Sequence, residues 1–320
     1  MDGLFAVPDP DASGVDAFGA MTFHEQRAKS LLNPMSGGGE IAWTLNPYRG
    51  CAHACTYCFA RRGHRHLGWD IGEDFSTQIV VKTNAAAVLR SELRRGRGTG
   101  GWVMVGTATD CYQRAEARYR LMPEILAALG DYRIDFTIAT KSALLARDTD
   151  LFARAARHAD VLVMVSLGSL DDRVRRAFEP AAAPPKLRLD LIRTLNRAGV
   201  PTGALLAPII PHVGDHPAAL NALVDACTEA GAVTVFPDVM RIDPALRPWF
   251  LQRAADTLPP RLYHRLAARY RHHRAMPTDY TTELARHVHA RAAGHGLPTW
   301  KQYVHNLKPP THAGEQLPLL

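Results

Sequence analysis

The chain has 320 residues, 47% of them hydrophobic and 22% charged, with a formal net charge of +7, enough for a large buried core in one α/β domain or in one domain with an appendage. No apolar run approaches the roughly 18 residues that a membrane span requires, and the opening Met1-Asp2-Gly3-Leu4-Phe5 lacks the basic-then-apolar pattern of a secretory signal. Five cysteines, three of them clustered, argue against a disulfide framework and for a reducing compartment, so a cytoplasmic protein without a membrane partner is expected.

Residues 1–40 mix Pro, Asp, Ser and Gly and end in Ser36-Gly37-Gly38-Gly39-Glu40. They read as a loosely ordered lead-in with one short helix near 24–32. Apolar runs then predict strands at 41–45, 79–81, 103–106, 136–139, 161–166, 203–207 and 233–236. Helical periodicity separates them at 85–95, 116–129, 144–156, 186–198 and 218–230. Strand followed by helix, repeated, means a parallel sheet with crossover helices. Six or so such units suit an α/β fold of the partial (β/α)6 barrel type over 41–240, and the sheet pattern ends at Pro237.

In parallel α/β architectures the reactive site gathers at the C-terminal ends of the strands. Cys51, Asp110, Lys141, Ser166 and Pro208 all fall at or just past predicted strand ends, so independent signals point to one mouth. Residues 241–320 form a C-terminal extension with a basic helix over 259–274. From Ala245 onward there are eleven Lys or Arg against four Asp or Glu, whereas the rest of the chain carries 27 of each. Such a surface suits a polyanion, nucleic acid above all; the alternative is a solvated helix face.

The chemistry is concentrated in Asn46-Pro47-Tyr48-Arg49-Gly50-Cys51-Ala52-His53-Ala54-Cys55-Thr56-Tyr57-Cys58-Phe59-Ala60-Arg61. Cys51, Cys55 and Cys58 form a Cys-x3-Cys-x2-Cys loop. Four thiolates close the usual four-iron cluster, so three leave one iron open to a ligand other than protein. The alternative is a zinc site completed by His53, His64 or His66, although zinc sites usually come as two paired hooks. No Walker or dinucleotide fingerprint supports a nucleotide hydrolase or a dehydrogenase.

The cysteine loop, with an aromatic residue before its last cysteine, resembles that of radical S-adenosylmethionine (SAM) enzymes. Together with Thr107-Ala108-Thr109-Asp110-Cys111-Tyr112-Gln113, Thr140-Lys141-Ser142, Arg147-Asp148, Phe178-Glu179-Pro180 and Ala207-Pro208-Ile209-Ile210-Pro211, it resembles the spore photoproduct lyase-like branch over about residues 40–240. The resemblance implies the same partial barrel, a [4Fe-4S] cluster, SAM, and an external electron donor of the flavodoxin or ferredoxin type. It implies reductive cleavage of SAM to a 5′-deoxyadenosyl radical that abstracts hydrogen, in a reaction like that of a DNA photolesion lyase. A small metabolite or peptide substrate is the alternative, and so is a non-catalytic iron–sulfur or zinc protein that binds nucleic acid.

By the same resemblance SAM is held by Tyr57, Thr109, Asp110, Lys141 and Ser166. Tyr57 takes the adenine side, Thr109 and Asp110 receive the ammonium, and Lys141 and Ser166 meet the carboxylate. Helix capping is the other reading for Thr109 and Asp110, and a surface position the other reading for Lys141. Gly38-Gly39-Glu40 has the letters of the family's SAM-amine motif in the wrong place and reads as a linker. Phe59 reads as packing beside the cluster. Cys111 is the catalytic candidate, a thiol that would return hydrogen to a product radical; its other reading is a buried inert thiol, and Cys227 reads as core.

Overall fold

The structure, a computed structural model, describes residues 21–35 and 40–307. Ten strands occupy this region: β1 (Thr22–Gln26), β2 (Leu32–Pro34), β3 (Ile41–Leu45), β4 (Tyr48–Arg49), β5 (Gln78–Lys82), β6 (Trp102–Val105), β7 (Phe136–Thr140), β8 (Val161–Ser166), β9 (Thr202–Ile209) and β10 (Val235–Val239). The main sheet has the order β10-β9-β8-β7-β6-β3-β2. Its strands from β3 to β10 run parallel and β2 is antiparallel to β3. Six parallel strands in an open sheet make the partial (β/α) barrel.

The central strands carry apolar residues on both faces; every residue of β8 is buried, as expected where helices cover a parallel sheet. Helices Ala85–Arg94, Leu121–Asp131, Thr149–Ala155, Pro185–Arg197 and Pro217–Glu229 provide the cover. The expected helix at 116–129 is broken: Arg120 adopts φ 49° between Arg114–Tyr119 and Leu121–Asp131. The one at 144–156 starts as a 3₁₀ turn, Ala143–Asp148.

Three expectations need correction. The helix expected near 24–32 is the strand β1, because its backbone pairs with β5 more than fifty residues away; that pairing overrides the local helix propensity of Glu-Gln-Arg-Ala. The lead-in is therefore ordered over its described part, with Leu31 and Leu32 fully buried and their amides donating to Glu92. The strand at 79–81 is β5, which joins β1 and β4 in a separate three-stranded sheet rather than the barrel. The sheet also continues past Pro237, since β10 is an edge strand, where a missing amide proton costs least. Residues 1–20, Gly38-Gly39 of the linker and 308–320 lie outside the described residues.

After β10 come the helices Arg247–Thr257, Pro260–Tyr270, Thr278–Gly294 and Trp300–Asn306. The first two complete an apolar cluster, with Leu246, Phe250 and Tyr270 packed against Phe178 and Ile210 of the barrel. The third returns to Pro217–Glu229, where Arg291 makes two 2.7 Å bonds to Asp225. Among the described residues no helix is long and apolar enough to cross a membrane.

Candidate functional site

The small sheet delivers the chain into the cysteine loop. Gly50 follows β4 with φ +79°, and a Cβ there would lie 2.9 Å from the carbonyl oxygens of Phe75 and Gln78, so only glycine fits this turn. Cys51 N then donates 3.0 Å to Phe75 O.

From there the loop is fastened to two strand ends. Beyond β6, Gln113 donates from Nε2 to Gly50 O (2.9 Å) and to Thr109 Oγ1 (2.8 Å), while its Oε1 accepts from Ala52 N (2.8 Å). Thr109 Oγ1 donates 2.6 Å to the same Gly50 carbonyl. Beyond β8, Thr56 N donates to Phe178 O (2.9 Å) and Ala181 N to His53 O (3.3 Å). The loop thus crosses the C-terminal ends of the parallel strands, where the sequence places the site.

Asp110 is fully committed to protein. Its carboxylate accepts from His53 Nε2 (2.9 Å), Thr140 Oγ1 (2.9 Å), Lys141 N (2.7 Å) and Tyr112 N (2.9 Å). Burial alone would raise its pKa, but His53 and the amide donors hold it below the usual carboxylate range. Ser166 donates to Ala207 O (2.7 Å) on the neighbouring strand, and its own carbonyl accepts from Arg188. The polar atoms of Thr109, Asp110 and Ser166 therefore face the fold, not the mouth.

Tyr57 and Lys141 meet instead at Glu179. The Tyr57 hydroxyl donates to Glu179 Oε1, Lys141 Nζ lies 3.9 Å from the same oxygen, and Arg188 donates 2.5 Å to Glu179 Oε2. Burial pushes the Glu179 carboxyl up, and the Arg188 and Lys141 charges more than reverse it, so it stays ionised. The anion that a cation at the end of β7 needs is thus supplied by the chain itself. Tyr57, Glu179 and Arg188 line a cavity of about 20 Å³ together with Gly168, Pro208 and Ile210.

All three loop cysteines are free thiols. Among the described residues no three His, Cys, Asp or Glu side chains meet closely enough to hold a single metal ion. His53 Nε2 meets Asp110 and His64 Nε2 meets Gln78 O, which leaves only Nδ1 of each ring for a metal. A four-iron cluster places each thiolate on a different iron and does not require them to converge on one point, so three cysteines on one short loop match its donor set. Burial pushes the Cys51 thiol up and the Cys55 thiol up to about 12; metal binding must displace those protons.

Cys111 is 0% exposed and belongs to the main core, with Sγ behind Gly106. That burial agrees with the packed-thiol reading of Cys111. Cys227 is core, as expected. Phe59 is not packed: it is 55% exposed.

Several roles escaped the sequence reading. Gln113 and His53 position the loop, and Glu179 is the hub of the mouth. Arg188 carried a usable signal, because it lies on the apolar stripe Arg188-Leu191-Ile192-Leu195, where a cation implies a buried anion. Arg61 is nearly fully buried and donates from Nε to Cys55 O (2.8 Å); nothing in its neighbourhood in sequence marks it.

Residues 45–222 match the model of the Radical SAM superfamily. An uncharacterized protein of Mycobacterium tuberculosis is 41% identical over 273 residues, 85% of this chain and 80% of that protein. An uncharacterized protein of Methanocaldococcus jannaschii is 28% identical over 192 residues, covering 59% of this chain and 68% of its own length. Among solved structures, a spore photoproduct lyase mutant with bound AdoMet and dinucleoside spore photoproduct superposes with a TM-score of 0.64 at 15% identity, over 87% of this chain and 80% of that one. That likeness is one of fold.

Proposed function

The chain belongs to the radical SAM superfamily, whose cofactors are a [4Fe-4S] cluster and SAM, and from that premise we propose that it abstracts hydrogen from a nucleobase or nucleic-acid substrate in a lyase-like reaction. The family's cluster, when reduced, supplies the electron that splits SAM into methionine and a 5′-deoxyadenosyl radical. The chain's own part is to hold the cluster on Cys51, Cys55 and Cys58 and to orient SAM and substrate at the mouth.

The observation that carries this reading is the attachment of the cysteine loop, through Thr56 and Tyr57, to the Phe178–Glu179 turn at the strand ends. It brings the loop to the turn whose Glu179 pairs with the largely buried Lys141 ammonium, our candidate cation for the SAM carboxylate. Thr109, Asp110 and Ser166 act behind these groups: Asp110 fixes His53 and the Lys141 backbone, and Thr109 fixes the Gly50 turn.

The basic extension supports the nucleic-acid substrate. Its cations are not all available: Arg291 is spent on Asp225, Arg253 on Glu73, and Arg269 Nε on Ala275 O. Arg261, Arg265, Arg271 and Arg274 remain exposed on and after the Pro260–Tyr270 helix and form the polyanion surface. A lesion base would have to leave its stack to reach the mouth.

Anaerobic reconstitution, reduction and addition of SAM should yield 5′-deoxyadenosine, and ultraviolet-irradiated oligonucleotide should raise the yield. Oligonucleotide binding should fall steeply with salt and weaken when Arg261, Arg265, Arg271 and Arg274 are changed to Glu. No 5′-deoxyadenosine would refute the enzyme reading. Yield and binding indifferent to oligonucleotide would move the substrate to the small-metabolite class.

A further inference from the structure

We propose that the outward face of the 3₁₀ helix Phe59–Leu67 is the docking surface for a small, acidic one-electron carrier protein that reduces the cluster. This rests on the radical SAM reading. The step moves one electron from the reduced carrier to the cluster; the carrier is oxidised by one electron, and no bond is made or broken.

Cys58 is the least buried of the three loop cysteines, and the helix begins at the next residue. Its inward side is fixed. Arg61 donates to the carbonyls of Cys55, Ile71 and Gly72, and His64 meets Gln78 O at 3.1 Å while packing on Phe75. With Arg61 and His64 turned in, Phe59, Arg62, Arg65 and His66 are turned out, and all four are exposed.

This is the composition of a binding hot spot, an aromatic anchor with arginines around it. Phe59 is one of four large apolar side chains exposed among the described residues, and the one that follows a cluster cysteine directly. The Arg65 side chain has no ion pair or hydrogen bond among the described residues. Arg62 is 64% exposed and meets Asp243 at a long 3.4 Å. The nearby acids are engaged: Asp70 and Asp74 accept backbone amides of their own turn, and Glu73 pairs with Arg253. The helix itself carries no carboxylate, and the charged side chains on its outward face are Arg62 and Arg65, which selects an acidic partner and speeds its encounter. It also leaves the mouth free, since Tyr57 turns to Glu179 while Phe59 turns outward.

The test is anaerobic stopped-flow reduction of the reconstituted protein by reduced flavodoxin, with dithionite as a reductant that needs no docking surface. Phe59→Ala and the double variant Arg62→Glu, Arg65→Glu should each lower the flavodoxin rate constant about tenfold or more, and the double variant should lose its salt dependence. Dithionite reduction and iron content should stay at wild-type values. Wild-type flavodoxin rates in both variants would overturn the proposal, as would an equal loss with dithionite. It would also fall if the double variant lost oligonucleotide binding while keeping its flavodoxin rate. A wild-type protein that dithionite itself cannot reduce would instead refute the cluster reading.

Discussion

The Arg61 guanidinium lies 4.1 Å from the centre of the Trp249 ring while its Nε holds the Cys55 carbonyl. One side chain thus ties the cysteine loop to the first helix after the barrel, and it sets a fixed positive charge beside the thiols, partly shielded from water by Trp249 and Phe75. Net charge and solvent exposure are the main controls on cluster potential. Arg61→Met should therefore shift the midpoint to more negative values, with about tenfold less reduced cluster at a fixed potential, a shift of about 59 mV. Arg61→Lys should retain most of the wild-type value. Redox titration followed by spectroscopy decides, and an unmoved midpoint in the Met variant would assign Arg61 to packing alone.

Replacing Cys51, Cys55 or Cys58 by Ala should abolish cluster loading, since two thiolates cannot hold four irons. Cys111→Ala and Cys227→Ala should keep full iron and sulfide, and Cys111→Ala should leave the product distribution unchanged. Full iron in Cys55→Ala would end the assignment of the loop.

Gly50→Ala should lower iron loading without unfolding the barrel. The new Cβ meets two carbonyl oxygens at 2.9 Å in a left-handed backbone, a local cost of more than about 1 kcal/mol. Gln113→Leu should act the same way by removing one of the two donors to Gly50 O and freeing Ala52 N. Circular dichroism and iron analysis together make the measurement; wild-type iron in both would mean that the loop needs neither brace.

Glu179→Ala leaves Arg188 buried without its anion, a loss of about 3–5 kcal/mol by analogy with other broken buried pairs. Thermal melting should show it. Tyr57→Phe removes only the hydroxyl bond to Glu179, so it should melt near wild type and weaken SAM binding to the reduced cluster. Lys141→Ala should weaken it further while keeping iron.

Acid should loosen the last helices. Asp225 is pushed down from 3.8 to about 2, chiefly by its bonds to Arg291, with His295 adding to the effect. A carboxyl held below its unfolded value contributes stability that is complete above about pH 4 and is lost as pH falls through about 2. Proteolysis within Thr278–Gly294 by an acid protease should thus rise across that window in wild type. In Asp225→Asn it should be high already at about pH 4 and respond little to further acid; identical profiles would remove the pair from the account.

The barrel could be read from sequence because six apolar runs alternate with helical segments, and strand ends locate the mouth whatever the loop detail. β1 could not, since its strand state depends on an edge supplied by β5 at 78–82. The cysteine spacing announced the cluster loop for a similar reason, its information being local. The direction of Thr109, Asp110 and Ser166 was hidden, because each finds its partner far along the chain: Gly50, His53 and Ala207. The Glu179 hub was hidden likewise, with Tyr57 122 positions away.

The apolar cluster shared by Phe178 and Ile210 with Leu246, Phe250 and Tyr270 bears on how the chain can be cut. A fragment ending just past Ile242 would keep every strand described, yet it would bare Phe178 beside the mouth and free the Met240 carbonyl that Tyr270 now caps at 2.6 Å. Such a fragment should self-associate through the stripped face. The catalytic barrel and its basic tail are, in that sense, a single unit of solubility.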